Sequence, residues 1–230
     1  MKQLLLGIAS AVFVVAVPLC ILSASAVASI FDPSFYTTEQ VRAGVPETYG
    51  LPASVLAPVN QAMVGYFAGQ YPTLPDAFRA TGADPAFFSE RALEHMVDVR
   101  TLFQQVALVE RVTLAYGAVF LVGSYLLLGT AAIRRDGTLL LLGAGVALAI
   151  FVIGGAAWLI APDALFLWFH EAYFANSFWQ LDPRTDHLIQ MVPFPFWEAA
   201  ITIVIGRAVA VTALAAVLGG ASIWIGGRLK

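Results

Sequence analysis

The chain has 230 residues and a formal net charge of −3, with 60% of residues hydrophobic and only 12% charged. A mean hydropathy of +0.81 excludes an ordinary soluble domain. The acidic balance and short basic turns exclude a nucleic-acid-binding protein.

Four apolar blocks, roughly 4–30, 106–133, 138–161 and 199–226, each exceed the about 20 residues needed to cross a bilayer. They predict an all-α integral membrane protein forming a single membrane domain over 1–230. The first block follows Lys2 and contains small residues at Ala24, Ala26 and Ala28 that resemble a cleavage site. Its apolar core is longer than the roughly 7–15 residues of a signal peptide, which favours a retained helix. Cys20, the single cysteine, lacks the small residue before it that a lipoprotein box requires. Lying in an apolar helix, it is a poor thiolate. Lys2, Arg134 and Arg135 in an expected turn between the second and third spans, and Arg228 with Lys230 mark the cytoplasmic ends under the positive-inside rule. The predicted topology is N-in, C-in. The segments 31–105, with eight acids and four bases, and 162–198, with five acids and one base, then form an extracytoplasmic cap.

Residues 31–83 are punctuated by Pro, Gly and aromatics (DPSFYTT, GVPETYGLP, GYFAGQYPTLP), which predicts short helices and compact loops. PVNQAMVGYF, 58–67, reads as a short amphipathic helix packed at the membrane surface, carrying Asn60 and Tyr66. Asp84-Pro85 predicts a helix start. In the helix that follows, Phe88, Ala92, His95, Val99 and Leu102 fall on one stripe. On pattern alone, a histidine on such a stripe is more often a hydrogen-bonded interior residue than a catalyst. Asp98 follows at i+3, within reach of His95, while Arg91 and Glu94 read as a solvated face.

The segment 162–198 is dense in aromatics, as expected of a membrane–water interface. A belt does not require His170 and His187 beside Glu171, Asp182 and Asp186. All three histidines of the chain thus fall in the predicted cap. In the fourth span Arg207 lies about a dozen residues in, some 18 Å at ~1.5 Å per residue. A charge at that depth is a candidate functional residue or a structural ion pair, and Glu110 and Arg111 are its candidate neighbours.

No G-x-S-x-G elbow, H-E-x-x-H pair, phosphate loop or G-x-G-x-x-G precedes a helix. A metal held by His95, His170, His187, Asp98 and Asp186 is conceivable, but no local ligand spacing supports one, so neither metal nor cofactor is expected. No acid lies in mid-span, which argues against a proton-coupled transporter.

The blocks FSERALEHMVDVR and FHEAYFANSFWQLDPRTDHLIQMVPFPFW, with NQAMVGYF before them, resemble the four-helix lipoprotein intramolecular transacylases of bacterial membranes. Arg100 stands where that family usually has Lys, and Trp197-Glu198 where Phe-Asp is expected. The resemblance implies an acyltransferase of the plasma membrane, acting as a monomer among membrane lipids with its site on the extracytoplasmic side. Its substrates would be diacylglyceryl-modified lipoproteins, whose sn-2 acyl chain moves to the α-amino group of the lipidated cysteine to give a lyso-form lipoprotein. Carried over by motif, His95 and His170 are the catalytic pair, in unassigned acid and base roles, and Asp98 orients His95 or stabilises its imidazolium. Trp168 and Trp179 would line an acyl groove. Arg100 or Arg207 would hold carbonyls or a headgroup, and Tyr66 and Asp186 complete the expected substrate contacts. Ser89, Ser177 and Thr185 stay open as nucleophiles of a covalent route. The alternatives are another outer-leaflet lipid acyltransferase or hydrolase, and a non-catalytic membrane scaffold or sensor.

Overall fold

The computed structural model describes residues 2–229; Lys230 and the side chain of Lys2, both used in the charge argument above, lie outside the described residues. The described chain is all-helical: α1 Lys2–Ile30, α2 Pro33–Arg42, α3 Val45–Tyr49, α4 Ala53–Phe67, α5 Leu74–Thr81, α6 Glu90–Leu128, α7 Ala131–Ile160, α8 Pro162–Tyr173, α9 His187–Met191 and α10 Phe194–Gly226. Four of them, α1, α6, α7 and α10, are long and apolar enough to cross a membrane. The chain divides into two compact units. The bundle unit holds 1–25, 107–160 and 204–230, and the second holds 26–106 and 161–203.

The bundle unit presents Val119, Leu126, Ile153 and Leu159 outward, each more than 70% exposed, as helices solvated by lipid do. Its interior is narrow: Phe13 stacks on Phe120 at 4.5 Å, beside Val17, Ile21, Ala147, Phe151 and Ala208. Small residues let two backbones meet, since a Cβ on Gly137 would sit 2.8 Å from the Gly219 carbonyl. Close approach through glycine is how helices associate where no hydrophobic drive separates them from lipid.

The turn after α6 differs from expectation. Gly129, at φ +60°, ends α6, and the next helix begins at Ala131. Arg134 and Arg135 therefore lie in the first turns of α7 and not in a loop. Arg135 is fully engaged there: it donates to Asp136 at 3.1 Å, to Ser124 at 3.4 Å, to the Leu6 carbonyl at 3.4 Å and to Ser10. A cation on an apolar, membrane-length helix is costly unless satisfied, and this set ties α1, α6 and α7 together.

The second unit is built around α4, which is not a surface helix. Leu56, Val59, Ala62, Met63, Tyr66 and Phe67 are all at most 3% exposed, and they pack on Phe78, Phe88, Met96, Met191 and Phe196. Each such side chain contributes roughly 1.5–3 kcal/mol when buried. Asn60 is buried too, and pairs amide to amide with Gln40 (2.7 and 3.2 Å) while donating to Thr37 at 2.9 Å. The periodic pattern of 58–67 suggested one wet face, but that face is closed by α2.

The helix expected to start at Asp84 starts at Glu90. Asp84 instead accepts from the Ala86 amide at 2.9 Å in a turn. The Ser89 hydroxyl accepts from the Ala92 amide at 3.2 Å, which makes Ser89 the N-cap. From there α6 runs unbroken for 39 residues. Its first part, through Gln105, carries Glu90, Arg91, Glu94, His95, Asp98 and Arg100. The charged groups are thus concentrated in the N-terminal part of the helix.

Candidate active site

The first turns of α6 bury Ala92, His95 and Met96 on one side. His95 is 8% exposed, and its Nδ1 has no hydrogen-bond partner. A buried, unpartnered imidazole nitrogen costs free energy. The interior-histidine reading of the sequence would have required that partner.

The second histidine comes from α8, which follows α7 after Ala161 and opens on Pro162 at its first position, where a missing N–H costs nothing. His170 sits in its last turn, with Nδ1 2.7 Å from the Phe166 carbonyl. A carbonyl only accepts, so Nδ1 carries the proton and the lone pair lies on Nε2. Phe174, in extended backbone just past the helix, is buried with its ring 5.0 Å from His95 and 5.5 Å from His170. The two imidazoles stand 6.2 Å apart, centroid to centroid. Further aromatic rings gather around His170: Phe166 at 4.0 Å, Trp179 at 5.0 Å and Phe169 at 5.3 Å.

These surroundings set the electrostatics. Burial, and next the neighbouring His170, push the His95 pKa down to about 4, against a smaller opposing pull from Asp98. Burial also lowers the His170 pKa, and its bond to the Phe166 carbonyl works in the other direction. Both imidazoles are therefore neutral at neutral pH.

Asp98 does not hydrogen-bond His95. Its Oδ2 accepts from Asn176 Nδ2 at 2.8 Å. Its influence on His95 is through charge alone, so the orienting role expected for it has no hydrogen bond behind it. Asn176, in the turn after α8, escaped the sequence reading. An amide side chain six residues past His170 in a run of aromatics was its only signal. It also accepts the Phe178 amide on Oδ1 at 3.0 Å, and its carbonyl accepts the Trp179 indole N–H at 3.0 Å. Arg91, read as a solvated face, reaches the same turn and donates to Ser177.

Several other expected site residues are engaged in contacts of their own. Arg100 donates to the carbonyls of Pro72 at 3.2 Å and Tyr71 at 3.4 Å, and its guanidinium lies 4.5 Å over the Tyr66 ring. Tyr66 is 3% exposed. The two brace the loop after α4, alongside Gln104, which donates to the Phe67 carbonyl at 3.1 Å. Asp186 accepts from Ser89 and from the Asp182 amide at 3.3 Å. His187 stacks on Phe87 at 4.6 Å with its Nδ1 2.8 Å from Gln190. Trp168 is 65% exposed, and Arg207 lies in the bundle stretch of α10. No group of three His, Cys, Asp or Glu among the described residues is placed to hold a metal.

A family model for the lipoprotein intramolecular transacylase Lit matches residues 11–197. The fold is similar to that of the membrane-integral lipoprotein intramolecular transacylase Lit from Bacillus cereus, with TM-score 0.76 and 15% identity over 99% of this chain and 100% of that chain. Two structures of the same protein with one histidine replaced, by arginine or by alanine, match at TM-score 0.78 and 17% identity, over 100% of this chain and 96% and 98% of theirs. At these identities the structures establish a shared fold. No curated protein matches the chain.

Proposed function

The chain belongs to the lipoprotein intramolecular transacylase family, and from that premise we propose that His95 and His170 together carry the proton transfers of its reaction. The enzyme is an acyltransferase. Its substrate is a diacylglyceryl-cysteine lipoprotein, and the transfer runs from the sn-2 ester to the cysteine α-amino nitrogen.

Ester to amide is downhill, so the barrier and not the equilibrium needs the protein. The amine, with a pKa of about 7.7–8.0, is largely protonated at neutral pH and attacks only once it has lost a proton. The ammonium gives its first proton to water; the free amine then attacks the ester carbon, the C–N bond forms, and His170 Nε2 takes the second proton, which the nitrogen sheds after attack. That nitrogen suits the role because Phe166 fixes the tautomer and leaves the lone pair there. His95, held neutral, donates an N–H to the oxygen on which charge develops. Collapse breaks the C–O bond, and the sn-2 oxygen leaves as a hydroxyl with the proton His170 gathered. The balance needs no cofactor. The 6.2 Å separation of the rings supports this reading most, because it puts both within reach of one tetrahedral carbon. The histidine-replaced Bacillus cereus structures fit a histidine-centred site.

Orientation follows from charge. Arg134 and Arg135 begin α7, and a Cβ on Gly226 at the end of α10 would lie 2.6 Å from the Arg134 amide nitrogen. Arg135 reaches Leu6 and Ser10 near the start of α1. Three helix ends thus share one basic end of the bundle unit, joined by Arg228. The positive-inside rule assigns that end to the cytoplasm and segments 31–105 and 162–198 to the extracytoplasmic side. One chain carries both histidines, which suits a monomer.

Mass spectrometry of lipoprotein N-termini from cells expressing the protein tests the reading. Wild type should convert diacylglyceryl termini to N-acylated lyso-forms, and His95→Ala and His170→Ala should each lose about 10²–10⁴-fold in rate while still accumulating. Diacylglyceryl termini left unchanged by folded wild type would sink it.

A further inference from the structure

Asp98 stands out beside the two histidines. It is a partly buried carboxylate on α6, one turn from His95. It takes part in none of the ion pairs of the described residues. Asn176 holds Oδ2 at 2.8 Å, and among the described residues no hydrogen bond reaches the other oxygen. Arginines are close in sequence, yet Arg91 is committed to Ser177 and Arg100 to the Tyr71 and Pro72 carbonyls. A carboxylate paired with no guanidinium and steered by a neutral amide is open to a cation from outside the chain. The neighbouring nitrogen, His95 Nδ1, is buried and equally unpartnered.

Resting on the transacylase reading above, we infer that Asp98 binds the cysteine α-ammonium of the substrate through its free oxygen, and that Asn176 is a positioning residue which aims that carboxylate. A lone aliphatic ammonium has three donors, so one can bond Asp98 while another turns toward His170. The carboxylate matters again after attack, because the nitrogen bears positive charge until its proton leaves. Charge-assisted bonding then falls on the atom where charge develops. Asp98 also acts on its surroundings as a charge. It opposes the lowering of the His95 pKa and adds to the raising of the Tyr173 pKa, which is due first to burial. Both effects follow from an anion facing the site. The inference makes the site selective for a free amino terminus and unfavourable to one already acylated, so product leaves as the amide forms and the ammonium contact disappears.

Asn176 has a second task in this arrangement. Its carbonyl holds the Trp179 indole N–H, and Trp179 lies 5.0 Å from His170. One residue thus links the carboxylate beside His95 to the ring that covers His170.

Binding can be read without turnover. Dialkyl-ether analogues of a diacylglyceryl-cysteine peptide have no acyl group to transfer, and they can be made with a free α-amine or with an N-acetyl cap. Detergent-solubilised wild type should bind the free amine roughly 10–100-fold more tightly than the capped form, the range expected for a hydrogen bond to a charged group. Asp98→Asn keeps the shape and an acceptor for Asn176, and should abolish that preference while leaving affinity for the capped analogue unchanged. Asn176→Ala keeps the charge and should weaken the preference by about 10-fold; it decides the matter if Asp98→Asn does not accumulate. An amine preference that survives in Asp98→Asn, or that keeps its wild-type size in Asn176→Ala, overturns the inference, even where wild type makes lyso-form product normally. Absence of any lyso-form product from wild type is the separate failure that belongs to the transacylase reading.

Discussion

Burying His95 against Phe174 and beside a second imidazole disfavours its cation, and the consequence reaches beyond catalysis. With a pKa of about 4 in the folded protein against about 6.5 in an unfolded chain, His95 takes up a proton on unfolding anywhere between those values. The unfolded state binds more protons there, so stability rises with pH across the window. Above pH 6.5 His95 contributes nothing to the slope. Between 6.5 and 4 it makes the protein progressively less stable, and below 4 its effect is constant. The lowered pKa of His170 acts in the same sense. Thermal unfolding in detergent at pH 7.5, 5.5 and 4.5 checks this. The melting temperature of wild type should fall across the series, and His95→Gln should flatten part of that fall. An unchanged slope in the variant would mean that the drop comes from other groups. Spacing alone favoured packing over chemistry for His95, because period-three and period-four spacing reports only which side faces inward. The missing Nδ1 partner, which depends on chain brought from elsewhere, separates the two.

Single elements carry the difference between what was legible and what was not. The four long helices could be read from hydropathy because a bilayer fixes their length and forbids charge. The start of α6 was misplaced because Asp84-Pro85 carries an N-cap signature, while Ser89 carries the one that the tertiary structure uses. The burial of α4 was hidden because Asn60 and Gln40 look like surface residues until they meet. Their pairing makes a testable unit. Asn60→Leu would leave Gln40, fully buried, without its amide partner, at a cost of about 1–3 kcal/mol. Replacing both, as Gln40→Leu with Asn60→Leu, removes the stranded polar group and should recover most of the loss, although Thr37 still loses its donor. A double-mutant cycle in detergent measures the coupling. Additive effects would show that the amide pair does not act as a unit. Asn176 marks the same limit within the site: its value lies in contacts with Asp98 and Trp179 that no local spacing encodes.

For the whole molecule, the sequence carried the family and the four long apolar helices, because both rest on long-range patterns: two motif blocks and the runs of hydrophobic residues. The apposition of His95 and His170 did not follow from either. They are separated by 74 intervening residues, including all of α7, and only the return of the chain through α8 brings them to 6.2 Å. Sidedness is the global property on which the proposed activity depends most, since a site facing the cytoplasm could not process lipoproteins on the outer surface. It can be read with cysteines in a Cys20→Ser background. Glu47, exposed on α3, and Leu229, exposed past the end of α10, lie on opposite sides in the proposed topology. In sealed right-side-out membrane vesicles, a charged membrane-impermeant maleimide should label Glu47→Cys nearly completely and Leu229→Cys only after detergent is added. The basic end of the bundle predicts that order because moving several arginines to the outside would oppose the bias that sets orientation. Labelling of Leu229→Cys before detergent, with Glu47→Cys protected, would invert the topology and place the histidine pair on the cytoplasmic side.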